Sequence, residues 1–331
     1  MKNLDIISEQ FDLSSIPGSD SWIHISEFKK GDSKDKKYFI VDEHYQQYLL
    51  RLTDSKDYER KKIEYENLKT LVANGTRVPV PVGFGLDQSG RAVYLMTRWI
   101  NGESGVMEMC RQNRQNQCIH GIYTGLWLKN AHYYSIQNRS PEAWEQCQLA
   151  RWRKIQDAYR YGQLKISYFQ KLSDMIERNL PLLSGRPQCI LHGEFSLDDI
   201  ILSNEGNLML IDFSEWSYGD PLHDLAQVMT RIHKCCPIYA IGILECYLAD
   251  GNIDKKLKII NLYAAFNLIE DVLNNPDSDQ ESREQALEDV QVFIRDLKGC
   301  RQDKPIWYKN VRAACKKANQ QELRIADSEL P

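Results

Sequence analysis

The stretch that most constrains this chain is residues 190–224, ILHGEFSLDDIILSNEGNLMLIDFSEWSYGDPLHD. It carries short apolar runs at 189–191, 200–202 and 208–211, with the turn-rich Ser203-Asn204-Glu205-Gly206-Asn207 between the last two. Runs bounded in this way are predicted to be strands. Polar residues cluster just past the apolar segments: His192, Glu194, Asp198, Asp199 and then Asp212. Carboxylates at strand ends and in adjoining loops can converge in one cleft, where they can hold Mg²⁺ and orient a hydroxyl.

The rest of the composition narrows the class. At 331 residues the chain is long enough for one large domain or two lobes. A net charge of −4 and a pI near 6.0 give no general attraction to nucleic acid. With 42% hydrophobic and 27% charged residues the chain reads as an ordinary soluble protein. The N-terminal MKNLDIISEQFDLSS has no basic start followed by an apolar core, and no apolar run approaches membrane-spanning length. A cytoplasmic protein without membrane partners is therefore expected. Nine cysteines with no paired CxxC spacing read as reduced thiols, and the scattered histidines show no zinc-like spacing.

β-forming residues predict strands at 22–25, 38–41 and 48–52, then a hairpin of 82–85 and 92–96 around Gln88-Ser89-Gly90. The Lys/Asp-rich segment 29–37 has two readings: a phosphate-covering loop, or a solvated charged turn. Residues 55–73 are predicted to be a helix, with Ile63, Leu68, Leu71 and Val72 recurring at helical spacing and Asn74-Gly75 ending it. Val78-Pro79-Val80-Pro81 is extended, since proline restricts its neighbours. From Glu103 onward the pattern turns helical: 114–134, further segments within 142–183, then 222–233, 239–248, 257–273 and 282–297. Residues 274–279 read as a loop, and the tail from Lys317 is expected to fray. Strands first and helices later indicate an α+β, two-lobed architecture, divided into 1–100 and 101–331, with the cleft between lobes as the expected nucleotide site.

The ordered motifs resemble the catalytic and metal-binding segments of the aminoglycoside phosphotransferase family, relatives of choline kinases and of the protein-kinase fold. That family reads His-Gly-Asp, four residues, Asn, an apolar strand, a turn and Ile-Asp-Phe or Ile-Asp-Trp, followed by Gly-Asp-Pro and Asp. This chain has His192-Gly193-Glu194, Asp199 at the Asn position, Ile211-Asp212-Phe213, Gly219-Asp220-Pro221 and Asp224. The resemblance implies a protein-kinase-like fold: an N-terminal antiparallel sheet with one main helix, and a larger, mainly helical C-terminal lobe. It also implies a phosphotransferase using ATP or GTP with Mg²⁺ on a hydroxyl of a small molecule, cationic or polyhydroxylated.

By the same resemblance Arg51 takes the place of the strand cation that holds nucleotide phosphates, and Glu64 that of the helix acid that orients it. A second reading of Glu64 is an exposed acid in a charge-rich helix. Thr97 and Trp99 fall at the hinge, where backbone groups would meet an adenine edge; for Trp99 core packing is the other reading. Asp212 and Asp199 would ligate the metal, Glu194 would accept the acceptor-hydroxyl proton, and His192 would brace the loop. His132, Asp220 and Asp224 are expected to be structural. Glu194 and Asp199 depart from the family's Asp and Asn. An impaired pseudokinase or ligand-binding module of the same fold is therefore the alternative. A protein-substrate kinase is disfavoured because the chain has no HRD, DFG or Ala-Pro-Glu segment. A cationic acceptor would meet acids such as Glu194, Asp198, Glu215, Glu270 and Asp271, with ordinary surface acids the competing reading of the last two.

Overall fold

The computed structural model describes residues 11–29, 35–136, 140–162, 166–274, 280–313 and 315. The chain divides into two compact units: Met1–Glu103 with Asp199–Trp216, and Ser104–Asp198 with Ser217–Pro331.

In the first unit, β1 (Trp22–Glu27), β2 (Lys36–Asp42) and β3 (Gln47–Asp54) form an antiparallel meander, followed by α1 (Tyr58–Ala73), β4 (Pro81–Leu86) and β5 (Ala92–Arg98). The sheet order β1-β2-β3-β5-β4 puts β3 in the middle. One sheet face closes over Trp22, Tyr38, Ile40, Leu50 and Leu52, with Leu13 and Ile16 from the preceding segment completing the core. Helix α1 packs on β4 and β5, where Tyr58 and Tyr65 meet the Phe84 ring at 5.2 and 5.4 Å.

The inward side of α1 differs from the apolar stripe expected from sequence. Ile63 is exposed, while Lys61, Glu64 and Asn67 are buried beside Leu68 and Leu71. Charges can turn inward here because they find ionic partners there, which offsets their desolvation.

After β6 (Gly102–Ser104) the chain leaves this unit and returns to it as the hairpin of β8 (Ile200–Ser203) and β9 (Leu208–Leu210). Backbone hydrogen bonds tie the hairpin in: Leu210 N–H donates to Arg77 O at 2.8 Å, and Asn204 N–H to Asn101 O at 2.9 Å. A division at residue 100 would have left this hairpin with the helices.

The second unit is mainly helical: α2 (Gly105–Arg111), α3 (Arg114–Tyr134), α4 (Pro141–Arg160) and α5 (Phe169–Asn179) precede β7 (Cys189–Leu191). Strand β10 (Ser217–Gly219) pairs antiparallel with β7. A helical run follows, of α6 (Leu225–Gln227), a π-turn at Val228–Ile232 and α7 (His233–Cys235). Then come α8 (Pro237–Leu248), α9 (Ile253–Asn274) and α10 (Gln280–Asp296). Helix α9 is the centre, apolar nearly all round, with Leu257, Ile260, Tyr263, Ala264 and Phe266 fully buried.

Helices α3 and α8 approach backbone to backbone through glycines. A Cβ on Gly121 would lie 2.2 Å from the Tyr239 carbonyl oxygen, and one on Gly242 would lie 2.5 Å from that of Cys118. Among the described residues no helix is long and apolar enough to cross a membrane. The described cysteines are free thiols. Residues 30–34 of the charged segment, 275–279 of the expected loop and the tail from Lys317 lie outside the described residues.

Candidate active site

The residues singled out in the first unit converge on a buried charge cluster. Arg51 on β3 donates through Nη1 to Glu64 Oε1 of α1, so the pair expected from register forms. The cluster is larger than the sequence suggested. Arg51 Nε also donates to Asp35 at 2.8 Å, and Lys61 Nζ bridges Asp35 at 2.6 Å and Glu64 at 3.0 Å. Glu64 is fully buried, and Arg51, Asp35 and Lys61 are 6–7% exposed. Burial works against the charge on Arg51, but Glu64, Asp35 and Asp212 overcome it and raise its pKa. The same balance lowers that of Asp35: desolvation opposes its ionisation, and Arg51 and Lys61 outweigh it.

Asp212 lies two residues past the end of β9 and has φ 58°, in the left-handed region that non-glycine residues rarely occupy and that Asp tolerates better than most. Its Oδ1 accepts from Ser214 N–H at 3.3 Å and its Oδ2 from Lys37 Nζ of β2 at 3.1 Å. Desolvation raises its pKa, but Arg51 and Lys37 outweigh that and hold the carboxyl well below the usual range. Asp199 begins the hairpin; its carbonyl accepts from Ile211 N–H at 2.8 Å, which brings Asp199 beside the residue preceding Asp212.

The Asp212 carboxylate, ionised and 22% exposed, is a hard oxygen donor that fits Mg²⁺, and Asp199 is joined by its backbone to the neighbouring Ile211. That ion commonly takes one or two protein carboxylates and completes its octahedron with water and phosphate. Among the described residues no group of three potential ligands gathers. Sequence reasoning took Asp35 and Lys37 only as members of the charged segment 29–37 and did not single out Lys61. They lie in runs so rich in Lys, Asp and Glu that no local signal separates the inward charge from its solvated neighbours.

In the second unit, the His192-Gly193-Glu194 turn follows β7. Gly193 has φ 96°, which a side chain would strain. Asp224, fully buried, accepts from the backbone N–H of His192 at 2.7 Å and of Gly193 at 3.1 Å, and its Oδ2 also meets His132 Nε2 at 3.1 Å. Burial resists the Asp224 charge, but His132 and the neighbouring imidazoles hold its pKa low. His132 Nδ1 in turn meets the Tyr247 hydroxyl at 2.6 Å. The structural parts expected of His132 and Asp224 thus have a common cause: together they fix the turn. The His192 ring is buried against Phe195, and Glu194 is exposed. Asp220 takes a bidentate bond from Arg186 at 2.7 and 2.8 Å and one from Tyr263 at 2.9 Å.

At the expected hinge the outcome differs for Trp99. Its N–H donates to Gln47 O at 3.0 Å, and its ring packs on Phe28 and Phe39, so that amide belongs to the sheet and the ring to packing. Thr97 is buried in β5 between Leu49 and Pro81. Of the acids considered for a cationic acceptor, Glu270 is held by Arg151 at 2.6 Å and Asp271 by Arg231 at 3.2 Å, while Glu215 lies 3.7 Å from Arg60. Glu194 and Asp198 are exposed.

Residues 24–241 match the model of the phosphotransferase enzyme family. The fold is shared with solved structures at low identity. Aminoglycoside phosphotransferase APH(2'')-Ib with ADP bound is 16% identical, covering 82% of this chain and 92% of that one with a TM-score of 0.57. The GDP complex of an aminoglycoside 2'-phosphotransferase IIIa is also 16% identical, covering 85% and 94% with a TM-score of 0.57. An aminoglycoside phosphotransferase from Alicyclobacillus acidocaldarius is 14% identical, covering 93% and 95% with a TM-score of 0.56. No curated protein matches the chain by sequence. The protein-kinase-like fold, the motif order and the family match define a kinase-class phosphotransferase of small-molecule hydroxyls. Within that class, the chain belongs to the phosphotransferase enzyme family typified by the aminoglycoside phosphotransferases.

Proposed function

We propose that the chain transfers the γ-phosphate of ATP or GTP to a hydroxyl of an aminoglycoside-like antibiotic or another small amino- or hydroxy-compound. The observation that carries this reading is the ionised Asp212, held beside Lys37 within a buried charge cluster that includes Arg51 and Glu64. Neighbours of the same fold carry ADP and GDP, which is why both nucleotides stand in the proposal.

Asp212 and Asp199 are the residues that would hold Mg²⁺. Held there, it would supply neutralisation of the phosphate charge. Arg51, paired with Glu64 and Asp35, is held in a fixed position that does not need to reorganise during the reaction. Glu194 takes the proton of the acceptor hydroxyl as its oxygen bonds to the γ-phosphorus and the bond to the nucleoside diphosphate breaks. His192 and Gly193 are kept in register by Asp224, so the base is presented by a fixed backbone.

The test is an ATP- and GTP-consumption screen over aminoglycosides, other antibiotics and amino alcohols, comparing wild type with Asp212→Ala. At least one acceptor should be phosphorylated in a Mg²⁺-dependent way, and Asp212→Ala should lose at least about 10²-fold, the usual loss when a charge-stabilising group is removed. Full turnover by the variant refutes the assignment of Asp212. A second reading, a nucleotide-binding protein without transfer, rests on Glu194 and Asp199 standing where the family has Asp and Asn. Nucleotide binding with no acceptor phosphorylated would favour it.

A further inference from the structure

We propose that Asp35 and Lys61 are a positioning pair for Arg51: they fix its guanidinium so that the Nη2 edge is the one offered to a nucleotide phosphate. This rests on the nucleotide-dependent reading above.

A guanidinium is planar, with its N–H donors in a fixed fork, whereas an ammonium is a compact charge with rotatable donors. One acid on one edge leaves a guanidinium free to swing about that contact; a second acid on another edge fixes its plane. Arg51 is held in the second way. Its Nε donates to Asp35 Oδ2 at 2.8 Å, and its Nη1 donates to Glu64 Oε1. Nη2 lies 2.5 Å from the same Asp35 oxygen but is buried and makes no hydrogen bond. That edge can therefore donate to a phosphate oxygen with both acids still in place. The Asp212 charge helps to raise the pKa of Arg51, so the guanidinium lies within the field of the carboxylate proposed to hold Mg²⁺.

A second buried acid needs a second cation. With Arg51 alone, Asp35 and Glu64 would leave an uncompensated negative charge among side chains no more than 7% exposed. Lys61 Nζ removes it, bridging Asp35 at 2.6 Å and Glu64 at 3.0 Å. Chain position brings both members in. Asp35 immediately precedes β2, whose Lys37 lies opposite Arg51, and Lys61 stands one turn before Glu64 on α1. Together Asp35 and Lys61 add no net charge. They act on where Arg51 points, and not on how positive the site is.

Calorimetric binding of MgATP and of adenosine to the full chain tests this through a mutant cycle. Asp35→Ala with Lys61→Met removes one charge of each sign, so the net charge of the site is kept while the second hold on Arg51 is lost. That double variant should bind MgATP about 10- to 100-fold more weakly, the usual worth of a charged hydrogen bond, with adenosine affinity unchanged. Combined with Arg51→Lys, the same two substitutions should cost less than about threefold, because an ammonium needs no second edge. MgATP affinity of the double variant within about threefold of wild type overturns the proposal. So does an equal loss with and without Arg51→Lys, and so does an equal loss of MgATP and adenosine, which marks a merely structural role. Unfolding midpoints show which variants are folded. Where the double variant is not, Asp35→Glu replaces it: the charge stays, the carboxylate moves by about 1 Å, and MgATP binding should weaken with Arg51 present but not with Arg51→Lys. A wild-type chain that binds neither MgATP nor adenosine refutes the nucleotide-dependent reading itself, and this proposal with it.

Discussion

Glu194 carries one methylene more than the aspartate its family places after His-Gly, and the backbone just before it is pinned at two consecutive amides by Asp224. The turn has little freedom to retreat on that side, so the extra reach of about 1 Å must be met by the acceptor or by the residues that follow. In a working enzyme Glu194→Gln should abolish turnover while nucleotide binding persists, because an amide cannot take the proton. Glu194→Asp should then slow turnover by roughly 10- to 100-fold. In an impaired kinase the sign reverses, and Glu194→Asp, alone or with Asp199→Asn, should raise a near-zero rate. Turnover of wild type and Glu194→Asp on any accepted acceptor, or as basal ATP hydrolysis, decides between them; our reading expects the loss. At this scale the sequence disclosed the motif residues, whose order and spacing are informative. It concealed Asp35, Lys37 and Lys61, because a charge run does not say which member turns inward. It also did not disclose the commitment of the Trp99 amide to Gln47, since backbone pairing leaves no trace in side-chain identity.

Elements were most legible where a single physical signal set them. The strands follow β-branched and aromatic runs, and α3 begins and ends at the residues its periodicity picks out, Arg114 and Tyr134. Helix α1 was legible as a helix but not in its orientation. Its apolar positions mark one face, whereas ion pairing draws Lys61 and Glu64 inside and leaves Ile63 exposed. Neither helical periodicity nor capping signals distinguish the π-turn at Val228–Ile232 from the α-helix flanking it. The α3–α8 contact rests on glycines that sequence pattern alone reads as weak points. Gly121→Ala would drive a methyl group against the Tyr239 carbonyl, so the helices must separate. That variant should lower stability by on the order of 1–3 kcal/mol, the common cost of overpacking, with a Tm several degrees lower. An unchanged Tm would mean the helices can shift apart freely.

For the whole molecule, pH dependence follows from groups in the second unit. His223 and His233 are both pushed down to about 4, first by desolvation and then by neighbouring cations, Arg151 for His223 and Lys234 for His233. A histidine whose folded pKa lies below its unfolded value of 6.5 binds a proton more readily when unfolded. Stability is therefore present above about pH 6.5 and is lost as pH falls towards 4. Asp35, Asp212 and Asp224 have lowered pKa values, so their contributions persist through that range and fail only below the ordinary carboxylate value of 3.8. Tm measured from pH 7.5 down to about 4.5 should decline. His223→Gln should flatten part of the decline, and a Tm independent of pH over that window would refute the account.

The first unit is assembled from two separate stretches of chain, Met1–Glu103 and Asp199–Trp216. The strands of its five-stranded sheet are all synthesised by Arg98, but Asp212 is joined to the chain 175 residues after its partner Lys37. At the usual elongation speed of about 5–20 residues per second, the ribosome needs roughly 5 to 20 s between Glu103 and the end of the returning hairpin. Throughout that interval the nascent sheet exists without β8, β9 or the Asp212 carboxylate. Arg77 and Asn101 meanwhile hold backbone carbonyls whose donors, Leu210 and Asn204, have yet to be made. Birth order thus sets a delay between making the first five strands and supplying Asp212, and a chain cut short between Glu103 and Asp212 would hold that sheet without its acid.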